Sequence, residues 1–176
     1  MQPQLASISQ QLSASSERAQ SLFAGLTDAQ LTQHPPKGGW SIAECVAHLN
    51  RSNEVYSGIF DTNFPRTPKG NGPFKMELKA RLLRWILEPP YRHGVKTIAM
   101  FEPVVASPGQ TLAEFLASNE KMMDYCRQAD GLALDQVQIA SPFKETMRYN
   151  LYSALELIAT HQRRHLWQAE QVRKGL

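Results

Sequence analysis

Long apolar runs are missing from this chain of 176 residues, and cysteine is scarce, with only Cys45 and Cys126. No stretch approaches the roughly 18–20 uninterrupted apolar residues of a membrane helix, which excludes a helical integral membrane protein. Two cysteines build no disulfide framework. The opening Met1-Gln2-Pro3-Gln4 has neither the basic cluster nor the apolar run of a secretory signal. The expectation is a soluble cytoplasmic protein with no membrane partner. Charge of one sign is scarce as well: 19 Lys+Arg against 16 Asp+Glu leave a net +3. Basic residues bunch only at 75–84 and among Arg163, Arg164, Arg173 and Lys174. Without a denser stripe and interleaved aromatics these read as solvated helix faces, so no nucleic acid is expected as a partner. Internal repeats and low-complexity tracts are also absent. With 42% hydrophobic residues, the length suits a single domain, residues 1–176, around one core.

What the chain does have is helical periodicity, in four long segments, with no sustained strand alternation. From Gln4 to Leu26, residues Leu5, Ile8, Leu12, Ala19, Leu22, Phe23 and Leu26 recur mostly at steps of three and four. Thr27 with Gln30 then fits a capping box for a short helix that His34-Pro35-Pro36 ends. Ser41 with Glu44 starts the second long helix, whose inner face is Ile42, Cys45, Val46, Leu49, Tyr56 and Ile59, and which ends near Asn63. The stretch 64–110 carries seven of the prolines and one shorter helix over Met76–Leu87. Thr111 with Glu114 predicts the start of the third helix, and Asp130-Gly131 its close. Asn150 caps the fourth, which runs to Lys174 with Leu151, Ile158, His161 and His165 on one arc. The fold class is therefore all-α: a four-helix bundle with a long crossover segment containing a short extra helix.

Five histidines carry the functional signal. His161 and His165 stand four apart on the inner arc of the fourth helix, where two imidazoles can reach one metal ion, while Arg163 and Arg164 between them are expected to point elsewhere. Buried imidazole nitrogens need polar partners, and a cation supplies both rings at once. The helical zinc-protease motif needs Glu after its first His; here that residue is Gln162, which makes that reading a poor one and leaves the metal-chelating spacing intact. His48, two turns into the second helix, makes a third candidate. Three imidazoles plus an open position is the arrangement of catalytic zinc sites. Cys45, one turn earlier, is either a fourth ligand or a small buried hydrophobe. His34 and His93 lie in loops and read as solvent-facing or wall residues. A packed-core role for the histidines is the competing reading of the same spacing.

The segment Gly39-Trp40-Ser41-Ile42-Ala43-Glu44-Cys45-Val46-Ala47-His48-Leu49 and the later His161-Gln162-Arg163-Arg164-His165-Leu166-Trp167-Gln168 resemble the two motifs of the DinB/YfiT-like superfamily, in order and in separation. The resemblance covers nearly the whole chain. It implies an up-down-down-up bundle binding a divalent metal through His48, His161 and His165. It further implies zinc or nickel as the metal, a homodimer, and, in some members, thiol-dependent transfer using bacillithiol, mycothiol or glutathione.

Neutral imidazoles leave a bound cation its full charge, so water or a low-molecular-weight thiol at the open position would be acidified. The expected function is a metal-dependent transferase or hydrolase acting on a small-molecule substrate. The alternatives are a non-catalytic metal-binding or stress-response protein and a helical dimer whose histidines are core residues. Nitrogen ligands suit zinc, nickel and iron alike. No general base is assigned: Glu44 reads as a cap partner, and Glu102, Tyr56 and Tyr152 are weaker candidates. Gln168 is placed to orient His165. Trp85, Tyr91 and Phe101 are candidate walls for the substrate pocket.

Overall fold

The computed structural model describes residues 1–90 and 97–176. Helix α1 (Pro3–Phe23) has proline in its first turn and no side-chain cap. A cap contributes about 1 kcal/mol. Burying Leu5, Ile8, Leu12 and Leu22 contributes about 1.5–3 kcal/mol each, so packing decides this helix. Helices α2 (Asp28–Thr32) and α3 (Ile42–Asn63) both begin on the expected capping boxes, Thr27 with Gln30 and Ser41 with Glu44. The crossover holds α4 (Leu78–Leu87), two residues shorter at its start than the periodicity predicts.

Helix α5 (Pro108–Gln128) begins before the expected Thr111. Ser107 is the cap, its hydroxyl accepting from the Gln110 N–H, and Pro108 occupies the first turn, where a missing N–H leaves no hydrogen bond unmade. Glu114 accepts instead from the Gln110 side chain. After the helix ends, Gly131 takes a left-handed φ of 82°, a conformation glycine adopts without penalty.

The expected lack of strands is corrected. Strands β1 (Gln138–Ser141) and β2 (Lys144–Asn150) form an antiparallel hairpin that pairs Ile139 with Tyr149 and runs straight into α6 (Leu151–Arg173). Only Ile139 and Ser141 of β1 face inward, an alternation too brief to register as a period. Asn150 caps α6 as predicted, accepting from the Ser153 N–H.

Four helices, α1, α3, α5 and α6, make the bundle, and hydrogen bonds between them fix its direction. Asn50 donates to Thr111 O and Asn53 to Ser118 Oγ, so α3 and α5 run the same way. Gln4 meets Tyr152 and Arg18 meets Glu170, so α1 and α6 also run together. Asn119 reaches Leu12 O while Asp130 accepts from the Gln2 N–H, so α1 and α5 are antiparallel. The topology is up-down-down-up, as the long crossover requires. Two apolar clusters fill the bundle, one around Leu5, Ile8, Tyr56, Phe60 and Met122, the other around Leu22, Ile42, Leu49, Phe115 and Leu166. Between them lies a buried polar belt. Among the described residues no helix is long and apolar enough to cross a membrane.

Candidate metal centre

Three of the histidines meet in that belt. His48 comes from the second turn of α3, fixed by the Ser41–Glu44 cap, and His161 and His165 come from successive turns of α6. Each offers a ring nitrogen within 4.8 Å of the others, and all three side chains are buried. The Nε2 atoms of His48 and His161 are 3.1 Å apart. Two nitrogens held about 2.0–2.1 Å from one ion, at angles near 90–110°, sit roughly 2.8–3.4 Å apart, so the spacing fits a shared cation.

The outer nitrogens are tied back. His48 Nδ1 lies 2.6 Å from Phe101 O, a carbonyl that can only accept, so the proton is on Nδ1 and the Nε2 lone pair faces the cluster. His165 Nδ1 is 3.0 Å from Gln168 Oε1, which sets the same tautomer and bears out the orienting role read for Gln168. Trp40 packs its ring against His48 and His165, with centroids 4.6 and 5.5 Å away.

Electrostatics keep the cluster uncharged. Burial pushes the His161 pKa well below the usual imidazole value, and the charges of His165, His48 and Arg164 push the same way. Burial likewise lowers His165, aided by His48 and Arg164 against the opposing Gln168 bond. His48 is lowered by burial and partly restored by the Phe101 carbonyl. Three neutral imidazoles with converging lone pairs are the ligand form for a divalent metal, so the residues present fit one.

A cavity of about 730 Å³ opens onto the triad, within the range of small-molecule sites. Its walls include Trp40, Leu83, Leu87, Ile98, Phe101 and Phe143. Phe143, in the hairpin turn, stacks on Phe101 at 4.5 Å and lies 5.5 Å from His161. The hairpin missed by the periodicity thus supplies a wall. Trp85 is exposed on α4, which turns Leu83 and Leu87 to the cavity instead. Tyr91 and His93 lie outside the described residues.

Other candidates fall elsewhere. Cys45 is buried in the apolar cluster with Ile42, Val46 and Leu49, and burial, then the Glu44 charge, pushes its thiol pKa far up, the reverse of what a thiolate ligand needs. Tyr56 shares a 2.7 Å hydrogen bond with the Tyr149 hydroxyl, and Tyr152 donates to Glu156. His34 is exposed, with Nδ1 3.1 Å from Gly39 O. Glu44 accepts from the Ser41 N–H as expected and also lines the cavity, as does Glu102.

The expectation for the two arginines is half corrected. Arg163 does point away, to Glu88 and Gln11. Arg164 is 4% exposed and lines the cavity beside His161 and His165. Three residues after His161 it sits on nearly the same helical face, the signal that the sequence carried.

Comparison with known proteins follows the same lines. No curated protein matches the chain. The solved structure of YfiT from Bacillus subtilis, described as a probable metal-dependent hydrolase with an unusual four-helix bundle topology, is similar with a TM-score of 0.66 at 16% identity, over 97% of this chain and 86% of that one. The family model for the DinB superfamily matches residues 11–169, and the chain belongs to that superfamily.

Proposed function

We propose that the protein is a metal-dependent enzyme, a hydrolase or a thiol-dependent transferase acting on a small molecule, with His48, His161 and His165 as the metal ligands. The observation that carries this reading is the convergence of three neutral, buried imidazoles at the floor of an apolar cavity, two of them with Nε2 atoms 3.1 Å apart. A bound divalent ion would supply Lewis acidity that lowers the pKa of water or a thiol at its open position. Zinc and nickel are the proposed metals, with iron compatible with the same nitrogens.

The chain's own groups do the rest. Phe101 O and Gln168 Oε1 accept from His48 and His165 and hold both rings with Nε2 inward. Trp40 packs against two of the imidazoles, and with Phe101 and Phe143 it keeps bulk water from the floor of the cavity. With Cys45 buried elsewhere, the triad has no protein thiol beside it, so the nucleophile comes from solution, either water or a low-molecular-weight thiol. YfiT's description as a probable metal-dependent hydrolase supports the hydrolytic form. A cytoplasmic homodimer is the proposed state, on family resemblance.

Metal analysis of protein purified without chelator, followed by ester, amide and thiol-conjugation panels, tests the reading. About one equivalent of zinc or nickel and turnover that His48→Ala abolishes are expected. Full metal occupancy with no turnover on any panel would leave a metal-binding module, and background metal content would remove both.

A further inference from the structure

Catalysis on a small molecule needs a group that selects it, and the cavity carries one candidate that the metal reading leaves unused. The aromatic and aliphatic walls discriminate by shape alone. Among the described residues the polar groups on the lining are Glu44, Thr97, Glu102, Arg164, Gln168 and the triad itself. Gln168 is bonded to His165, and Glu44 to the start of α3. Glu102 is exposed at the rim, where water screens its charge. Among the described residues Arg164 brings the one cationic side chain to the lining, and it is buried at 4% exposure.

Resting on the reading above, we propose that Arg164 is the specificity-determining residue of the site and that the substrate is a small organic anion, an apolar body bearing one carboxylate. The chemistry follows from position. A guanidinium presents its N–H donors in a planar fork matched to a carboxylate, and burial strengthens the attraction relative to water. One of its N–H groups donates to Ile86 O at the end of α4, which holds the side chain against the crossover. A guanidinium already anchored loses less freedom on meeting an anion. On the same lining, Leu83, Leu87, Ile98 and Phe143 offer apolar surface for the body of the molecule. The residue is a binding group, and it takes no part in proton transfer.

The test uses 3-phenylpropanoate and its neutral amide as probes, titrated by ligand-observed NMR into the full chain, once stripped of metal with chelator and once loaded with zinc. In the stripped protein the acid should bind about tenfold more tightly than the amide, the scale of one charge-assisted bond pair. Arg164→Gln should bring the ratio to about one, and Arg164→Lys should restore part of it. Because the preference is read without metal, it stands or fails separately from the metal reading. Equal binding of acid and amide by the unaltered protein, or no binding of the acid at 10 mM (about the weakest affinity worth calling a site), overturns the proposal. So does an acid preference that appears only with zinc and survives Arg164→Gln, since the ion would then be the anion receptor. Should Arg164→Gln not fold, the acid-to-amide ratio of the unaltered stripped protein and the Arg164→Lys variant decide.

Discussion

Two buried polar clusters sit on neighbouring residues of α6 and have opposite fates. Gln162 faces the bundle interior, where its Nε2 donates to Asn119 and Asn53, and Asn119 in turn donates to Leu12 O and Ser16 Oγ. That amide cluster ties all four bundle helices together and satisfies itself apart from Gln162 Oε1. His161, one residue earlier, faces the cavity, where it meets His48 and His165 with lone pairs turned inward. Amides carry both donors and acceptors and can close a network among themselves. Two of the imidazoles have the proton held on the outer nitrogen, by Phe101 O and Gln168 Oε1, and so turn acceptors toward the cluster, the arrangement that a cation from outside would complete. The amides hold the bundle together and the imidazoles equip it.

Substitution should separate the two roles. The largest effect is on metal content: His161→Ala or His48→Ala is expected to drop it from about one equivalent to background, measured by elemental analysis, with the bundle still folded by circular dichroism. Asn119→Ala should do the reverse. It removes the bonds to Leu12 O and Ser16 Oγ and, among the described residues, leaves the Gln162 amide with Asn53 as its remaining partner, and should cost about 2–4 kcal/mol in urea unfolding while metal content stays unchanged. Equal loss of metal in both variants would erase the distinction.

Acid should sharpen it. The three imidazoles are held below their ordinary pKa, so the unfolded chain takes up protons first as pH falls. Stability of the metal-free protein is complete above the unfolded value, about 6.5, and declines as pH drops below it. Urea midpoints from pH 8 to pH 5 should show that decline, flattened in a His161→Ala, His165→Ala double variant but retained in Asn119→Ala. A smaller effect belongs to Gln168→Leu, which frees the His165 ring to turn: metal affinity should weaken about tenfold, with stability little changed. The smallest is Ser41→Ala, about 1 kcal/mol from the lost cap, with the metal still bound.

Much of this was legible in the sequence because it is local. The Ser41–Glu44, Thr27–Gln30 and Asn150 caps depend on spacings of three, and the His161–His165 pair on a spacing of four, so each is written in a few adjacent letters. The hairpin is not, because its partners come together through pairing rather than through a period, and only two residues of β1 face inward. The start of α5 was hidden by Pro108, which reads as a breaker and acts as a first-turn residue. Arg164 escaped notice because charge predicts exposure, and only the folded crossover, with Ile86 O beside it, makes a buried arginine tenable. The convergence of His48 on α6 depends on helix direction, which the long crossover hinted at and the interhelical hydrogen bonds fix.

An anomalous-scattering map, collected at the zinc and nickel edges on crystals of protein that never met a chelator, tests the central claim most directly. The account predicts one strong peak about 2.0–2.2 Å from a nitrogen of each of His48, His161 and His165. A map with no peak among those three rings, from crystals in which they pack against one another alone, would contradict it.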